Sequence, residues 1–73
     1  MTEIEINSSI DPETINNIVT DLRYGLRIPD IKEKYRCIII IEDQLSFKQI
    51  KYLIQILETY LKKTDIESIS INA

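Results

Sequence analysis

The side chains that could do chemistry in this chain are few, and the most suggestive pair is acidic. Glu42 and Asp43 follow a run of four isoleucines, Ile38 to Ile41. If that run is a buried strand, its carboxyl end places both carboxylates where α/β sheets often carry their sites. Two carboxylates there could hold a divalent cation beside a phosphate. Nothing else in the chain completes such a site, so we favour a solvated acidic turn.

The composition lacks the residues that most catalytic and metal sites need. The chain has no histidine, which excludes His-based triads and H-E-x-x-H zinc motifs, and its single glycine excludes Gly-rich phosphate loops. Cys37 opens the isoleucine run, where we expect a buried structural thiol rather than a nucleophile. We therefore expect no enzyme activity, no metal site and no cofactor.

Length and charge limit the remaining possibilities. The 73 residues predict one small domain, and 17 of them are isoleucine. A domain of this size buries only about 60% of its unfolded surface, so a second copy would add burial that one chain lacks. The net charge of −3 argues mildly against non-specific binding of nucleic acid. A lone cysteine, with no signal peptide and no long apolar segment, predicts a cytoplasmic protein that does not use the membrane.

The isoleucine run is the best guide to the fold. β-branched residues favour strands, and a run without polar alternation predicts burial on both faces, as in the central strand of a sheet. Residues 3–7 and 66–72 instead alternate apolar with polar, which predicts half-buried edge strands. Their inward-facing side chains are Ile4, Ile6, Ile69 and Ile71.

Three helices are predicted between these strands. Asp11 and Pro12 are a favoured helix start, and apolar spacing continues the helix over 12–24, with Gly25 as its stop. Residues 28–35 predict a short second helix with Pro29 in its first turn. The Ser46–Gln49 capping box predicts a third helix from 47 to about 63.

These elements predict a small single domain spanning residues 1–73, of α/β or α+β class. The element order is β-α-α-β-α-β, with helices packed on a three-stranded sheet centred on residues 37–41. The last two strands and the helix between them are expected to form a parallel crossover.

The long helix is apolar on two sides, which is typical of a helix with two contacts. Tyr52, Ile56 and Tyr60 lie four residues apart on a stripe rotated away from the core stripe. This second stripe predicts an interface, with packing inside the chain as the alternative. We expect a small regulatory or interaction protein, a homodimer or one that binds a protein partner. The predicted core stripe consists of Ile50, Leu53, Ile54, Leu57 and Leu61.

A basic segment supports an alternative function. Residues 22–36 carry five cations against two acids, a net charge of +3, whereas the remainder carries −6. The segment resembles the first half of a helix-turn-helix, although the isoleucine run stands where the recognition helix should follow. A nucleic-acid-binding regulator is therefore the alternative to the interaction protein. Its binding residues would be Arg23, Arg27, Lys32, Lys34 and Arg36.

Overall fold

The computed structural model describes residues 1–71, which contain four strands and two helices. The strands are β1 (Thr2–Ile6), β2 (Lys32–Lys34), β3 (Ile38–Ile41) and β4 (Ile66–Ile71). The helices are α1 (Pro12–Leu26) and α2 (Phe47–Tyr60), and a 3₁₀ turn at Lys63–Asp65 precedes β4. Asn72, the last residue of the predicted final strand, lies outside the described residues. Within the described part of the chain, neither helix has the length and apolar content needed to cross a membrane.

The strands form one sheet in the order β2-β3-β1-β4, and every neighbouring pair is antiparallel. This is the ferredoxin-like arrangement, in which two β-α-β units interleave. Since β3 and β4 are both antiparallel to β1, they run parallel to each other, as the predicted crossover requires. The strand between them is β1, so they do not pair with each other. The molecule is a small α+β domain.

The predicted second helix at 28–35 is wrong, and a fourth strand takes its place. β2 and β3 form a hairpin joined by residues 35–37, and the first two of these, Tyr35 and Arg36, have φ of 56° and 63°. Two consecutive positive φ values are what a type I′ turn requires, and Asn-Gly is its usual sequence. Because Tyr and Arg occupy these positions instead, the sequence carries no hairpin signal.

The isoleucine run forms an interior strand, as expected, but it is not buried on both faces. β3 lies between β1 and the short β2, whereas β1, which was expected to be an edge strand, is the other interior strand and lies between β3 and β4. Ile39 and Ile41 are fully buried beneath the helices, whereas Ile38 and Ile40 are half-buried on the helix-free face. The half-burial reflects lateral cover by neighbouring strands rather than a second layer.

The helix starts are confirmed, and the helix ends are revised. Asp11 accepts a hydrogen bond from the Glu13 N–H at 2.9 Å, and Ser46 and Gln49 form the reciprocal capping box. α1 continues through Gly25 to Leu26, and Arg27 terminates it in the left-handed conformation with φ of 57°. α2 ends at Tyr60, short of the predicted residue 63.

Both helices lie on one face of the sheet, and the core lies between them and the strands. α1 joins β1 to β2 and so crosses over β3, while α2 joins β3 to β4 and crosses over β1. The buried side chains include Ile4 and Ile6 of β1, Ile18 and Leu22 of α1, and Leu53 and Leu57 of α2. The β4 side of the sheet is therefore bordered by α2 and the β2 side by α1.

Truncating adjacent isoleucines of β3 tests which face is covered. Ile39→Ala removes a fully buried side chain and should lower the free energy of unfolding by about 2–5 kcal/mol. Ile40→Ala is the matched control, because Ile40 lies on the helix-free face, and its cost should be clearly smaller. Urea denaturation of both variants measures the difference. Equal losses would contradict the one-sided core.

Candidate interaction surfaces

The stripe predicted as an interface lies largely along the contact between the two helices. Tyr52 is half-buried against α1, and a Cβ added to Gly25 would overlap the Tyr52 ring. Ile56 is half-buried and packs against the core. The Tyr60 hydroxyl donates a hydrogen bond to Asp21 Oδ2 at 2.5 Å. Tyr60 is 37% exposed, so part of the stripe stays accessible at the end of α2.

The Tyr60–Asp21 contact changes the acidity of the phenol. The hydrogen bond to Asp21, followed by partial desolvation and the carboxylate's negative charge, raises the pKa of Tyr60 above its ordinary 10.0. The folded state thus favours the neutral phenol. The contact is complete at neutral pH, and its contribution to stability is lost as the pH rises through the raised pKa.

A second apolar surface consists of side chains that were expected to face the core. Ile54, Ile69 and Ile71 are 41%, 40% and 49% exposed. Ile69 pairs with the fully buried Ile4 across the sheet, so it lies on the helix-covered face, yet neither α1 nor α2 covers it. The expectation that Ile69 and Ile71 point inward is right about the face and wrong about burial.

Helix geometry places Ile54 beside those strand residues. The contacts of Tyr52 and Tyr60 fix the flank of α2 that faces α1. At about 100° per residue, Ile54 projects from the opposite flank. Because α2 crosses over β1, the neighbour of β4, that flank borders β4. Phe47, 78% exposed, projects from the same flank at the start of α2. We call Ile54, Ile69 and Ile71 the isoleucine surface.

The basic residues gather at the opposite side of the sheet. Arg23 and Arg27 lie at the end of α1, Lys32 and Lys34 lie on β2, and Arg36 lies in the hairpin turn. All five are exposed, and Arg23 Nε donates to the Ile31 carbonyl at 2.9 Å. We call these residues the basic corner.

Two exposed tyrosines accompany the basic corner. Tyr24 is 88% exposed and Tyr35 is 77% exposed, and the Lys34 ammonium lies 5.4 Å from the centre of the Tyr35 ring. A groove of about 760 Å³ runs along the end of α1, lined by Thr20, Arg23, Tyr24, Gly25, Arg27 and Pro29. Cationic groups and accessible aromatic rings thus share one side of the molecule. The helix-turn-helix resemblance is not supported there, since residues 32–34 form a strand.

The acidic pair stands where the sequence placed it, without further ligands. Glu42 and Asp43 are exposed just after β3. No group of three or more Cys, Asp or Glu side chains that could hold a metal ion occurs within residues 1–71. Cys37 is half-buried rather than buried, and it forms no disulfide in this part of the chain. A solvated acidic turn remains our interpretation of the pair.

Gly25→Ala tests the close contact between the helices. Alanine normally favours a helix interior by about 0.5–1 kcal/mol over glycine, and Gly25 has no positive φ that would oppose it. Here the added methyl overlaps the Tyr52 ring, so we expect the variant to be destabilised. In a Tyr52→Ala background the same change should become stabilising. Urea denaturation of the four variants of this cycle measures the coupling, and an unchanged sign would contradict the contact.

Comparison with known proteins yields no relative for this chain. No family model matches it, and neither the curated proteins nor the solved structures contain a significant match. The ferredoxin-like arrangement is used for many unrelated activities, so it does not indicate a function by itself. The exposed surfaces of the chain are the basis for a functional proposal.

Proposed function

We propose that this chain is a small, non-enzymatic interaction protein that acts as a homodimer in the reducing environment of the cytoplasm. The observation that carries the proposal is the isoleucine surface, where three large side chains of two elements stay exposed on one side of a small domain. Contiguous exposed apolar residues on a small domain are typical of association sites. The single half-buried thiol, Cys37, suits a reducing compartment.

The free energy gained by burying the isoleucine surface limits how stable the dimer can be. Burying a whole isoleucine side chain contributes about 1.5–3 kcal/mol. The three members are less than half exposed, so covering them in both copies contributes roughly 6 kcal/mol. Losing the freedom of two separate molecules costs about 4–15 kcal/mol. Apolar burial alone therefore gives at most a very weak dimer, and a stable dimer needs additional contacts.

The stripe of Tyr52, Ile56 and Tyr60 stays a predicted part of the interface. Its accessible portion is the 37% exposed Tyr60 and the outer half of Ile56. Because Tyr52 and Tyr60 pack against α1, less of this stripe than of the isoleucine surface is available to a second molecule. We therefore give the isoleucine surface the larger role in self-association.

A charge introduced into the isoleucine surface or into the stripe shows how much each contributes to dimerisation. Ile54→Glu should weaken self-association more than about tenfold, because a buried carboxylate costs well over 1.4 kcal/mol unless it is paired. Ile56→Glu, two residues along the same helix, is the matched variant for the stripe and should have the smaller effect on dimerisation. Sedimentation velocity over a wide concentration range measures both.

Circular dichroism and thermal melts of the same samples show whether each variant is folded. A wild-type chain that stays monomeric at high concentration would contradict the proposed function. A dimer lost in a folded Ile56→Glu variant but retained in Ile54→Glu would assign the interface to the stripe.

A second candidate function is nucleic-acid binding, favoured by the basic corner together with Tyr24 and Tyr35. Proteins that bind single strands combine a cationic groove with accessible aromatic rings on which bases stack. The strand at 32–34 replaces the second helix of a duplex-reading motif, so single strands are the expected ligand. The net charge of −3 weighs against this candidate relative to self-association.

Charge reversal tests this candidate. Arg27→Glu/Lys32→Glu should abolish binding of a fluorescent single-stranded oligonucleotide, and the wild-type affinity should fall steeply with salt. Lys48→Glu/Lys51→Glu carries the same change of charge on α2 and should bind almost as well as the wild type. Fluorescence anisotropy at two salt concentrations, with duplex DNA alongside, provides the measurement. Absence of binding at low salt would eliminate nucleic acid as a partner.

A further inference from the structure

The two edges of the sheet are protected to very different degrees. β2 is three residues long, fully exposed and contains Lys32 and Lys34, which are features that block pairing with another strand. β4 is six residues long, with neither lysine nor proline, and alternates isoleucine with serine over 68–71. Within residues 1–71, β4 is paired on one side only, with β1. Its other side offers backbone N–H and C=O groups to an added strand.

We propose that β4 pairs antiparallel with β4 of a second copy, about a two-fold axis at Ser70. The two sheets then form one continuous sheet of eight strands. This inference rests on the proposed homodimer and assigns its geometry. Strand pairing supplies the backbone hydrogen bonds that apolar cover alone lacks.

The sequence of β4 suits pairing with itself. An axis at Ser70 places Ile69 opposite Ile71 of the second copy, and Ile71 opposite Ile69 of the second copy. Opposed residues of antiparallel strands point to the same face, so these isoleucines contact one another on the helix-covered side. The two-fold axis also puts the helices of both copies on that side. The exposed isoleucines of β4 then form the floor of a groove between the two α2 helices.

The second copy also supplies the other wall of this groove. The two-fold axis makes the α2 helices antiparallel, and with β1-to-β1 separation of three strand spacings they lie about 14 Å apart. Ile54 projects from the flank of α2 that borders β4, so one Ile54 lies on each side of the isoleucine floor. An unrelated peptide strand could use the same edge but would lack this second apolar helix flank.

A self-crosslink at the axis tests the register. In a Cys37→Ser background, Ser70→Cys places two thiols opposite each other across about 4.5–5.5 Å between Cα atoms, within disulfide range. We expect a disulfide-linked dimer on non-reducing gels after mild oxidation. Ser68→Cys is the matched control, being also exposed on the same strand but two residues from the axis, and it should remain largely monomeric.

Amide hydrogen exchange is an independent test that leaves β4 unchanged. At concentrations where the wild type is dimeric, the backbone amides of β4 should exchange several-fold more slowly than in the dilute monomer, and those of β2, the other edge strand, should be unaffected. A wild-type dimer without preferential Ser70→Cys crosslinking, or without added protection of β4, would overturn the β4 pairing and leave the proposed homodimer standing. A monomeric wild type would overturn both.

Discussion

Hydrogen bonding of β1 on both of its edges is the interaction on which the rest of the sheet depends. β3 pairs with one edge and β4 with the other, while β2 reaches the sheet only through β3. Ile4 and Ile6 anchor this strand beneath the helices, at 0% and 1% exposure. Without β1 the remaining strands would be a short hairpin and an isolated strand, neither of which is stable alone. Its helix-free face carries Glu3 and Glu5, which keep that side of the sheet centre polar.

The contact between the helices explains features of both that their separate sequences do not. Gly25 sits inside α1, where glycine weakens a helix, and its missing side chain is the space that Tyr52 occupies. Tyr60 reaches Asp21 one turn earlier on α1. Together these contacts set the rotation of α2 about its axis. That rotation leaves Ile54 on the flank beside β4.

The surface is consequently divided between two ends of the sheet. The basic corner lies at the β2 end, where exposed lysines also protect the edge from pairing. The isoleucine surface lies at the β4 end, beside an unprotected edge. A dimer joined through β4 would leave both basic corners at the outer ends of the longer sheet. Self-association and binding of an anionic partner are therefore compatible on one molecule.

The sequence by itself determined the local elements that have their own signals. Asp11 and the Ser46–Gln49 capping box set the starts of both helices, because side-chain oxygens there satisfy backbone N–H groups that the helix cannot. Alternation identified β1 and β4. The absence of histidine limited the chemistry, and the clustering of cations near α1 was visible from spacing alone.

Tertiary structure decided what depends on neighbours distant in sequence. β2 has no apolar pattern and a turn of Tyr35 and Arg36, so only pairing with β3 makes it a strand. Ile38 and Ile40 belong to a run as apolar as that of a fully buried strand, yet neither helix packs on their face of the sheet. Ile54 and Ile69 follow the core periodicity yet stay exposed, since periodicity assigns a face and not the element that covers it. The strand order decides which of these side chains are covered. It places β4 at an edge of the sheet, where α2 borders it on the side of β1 and solvent borders it on the other side.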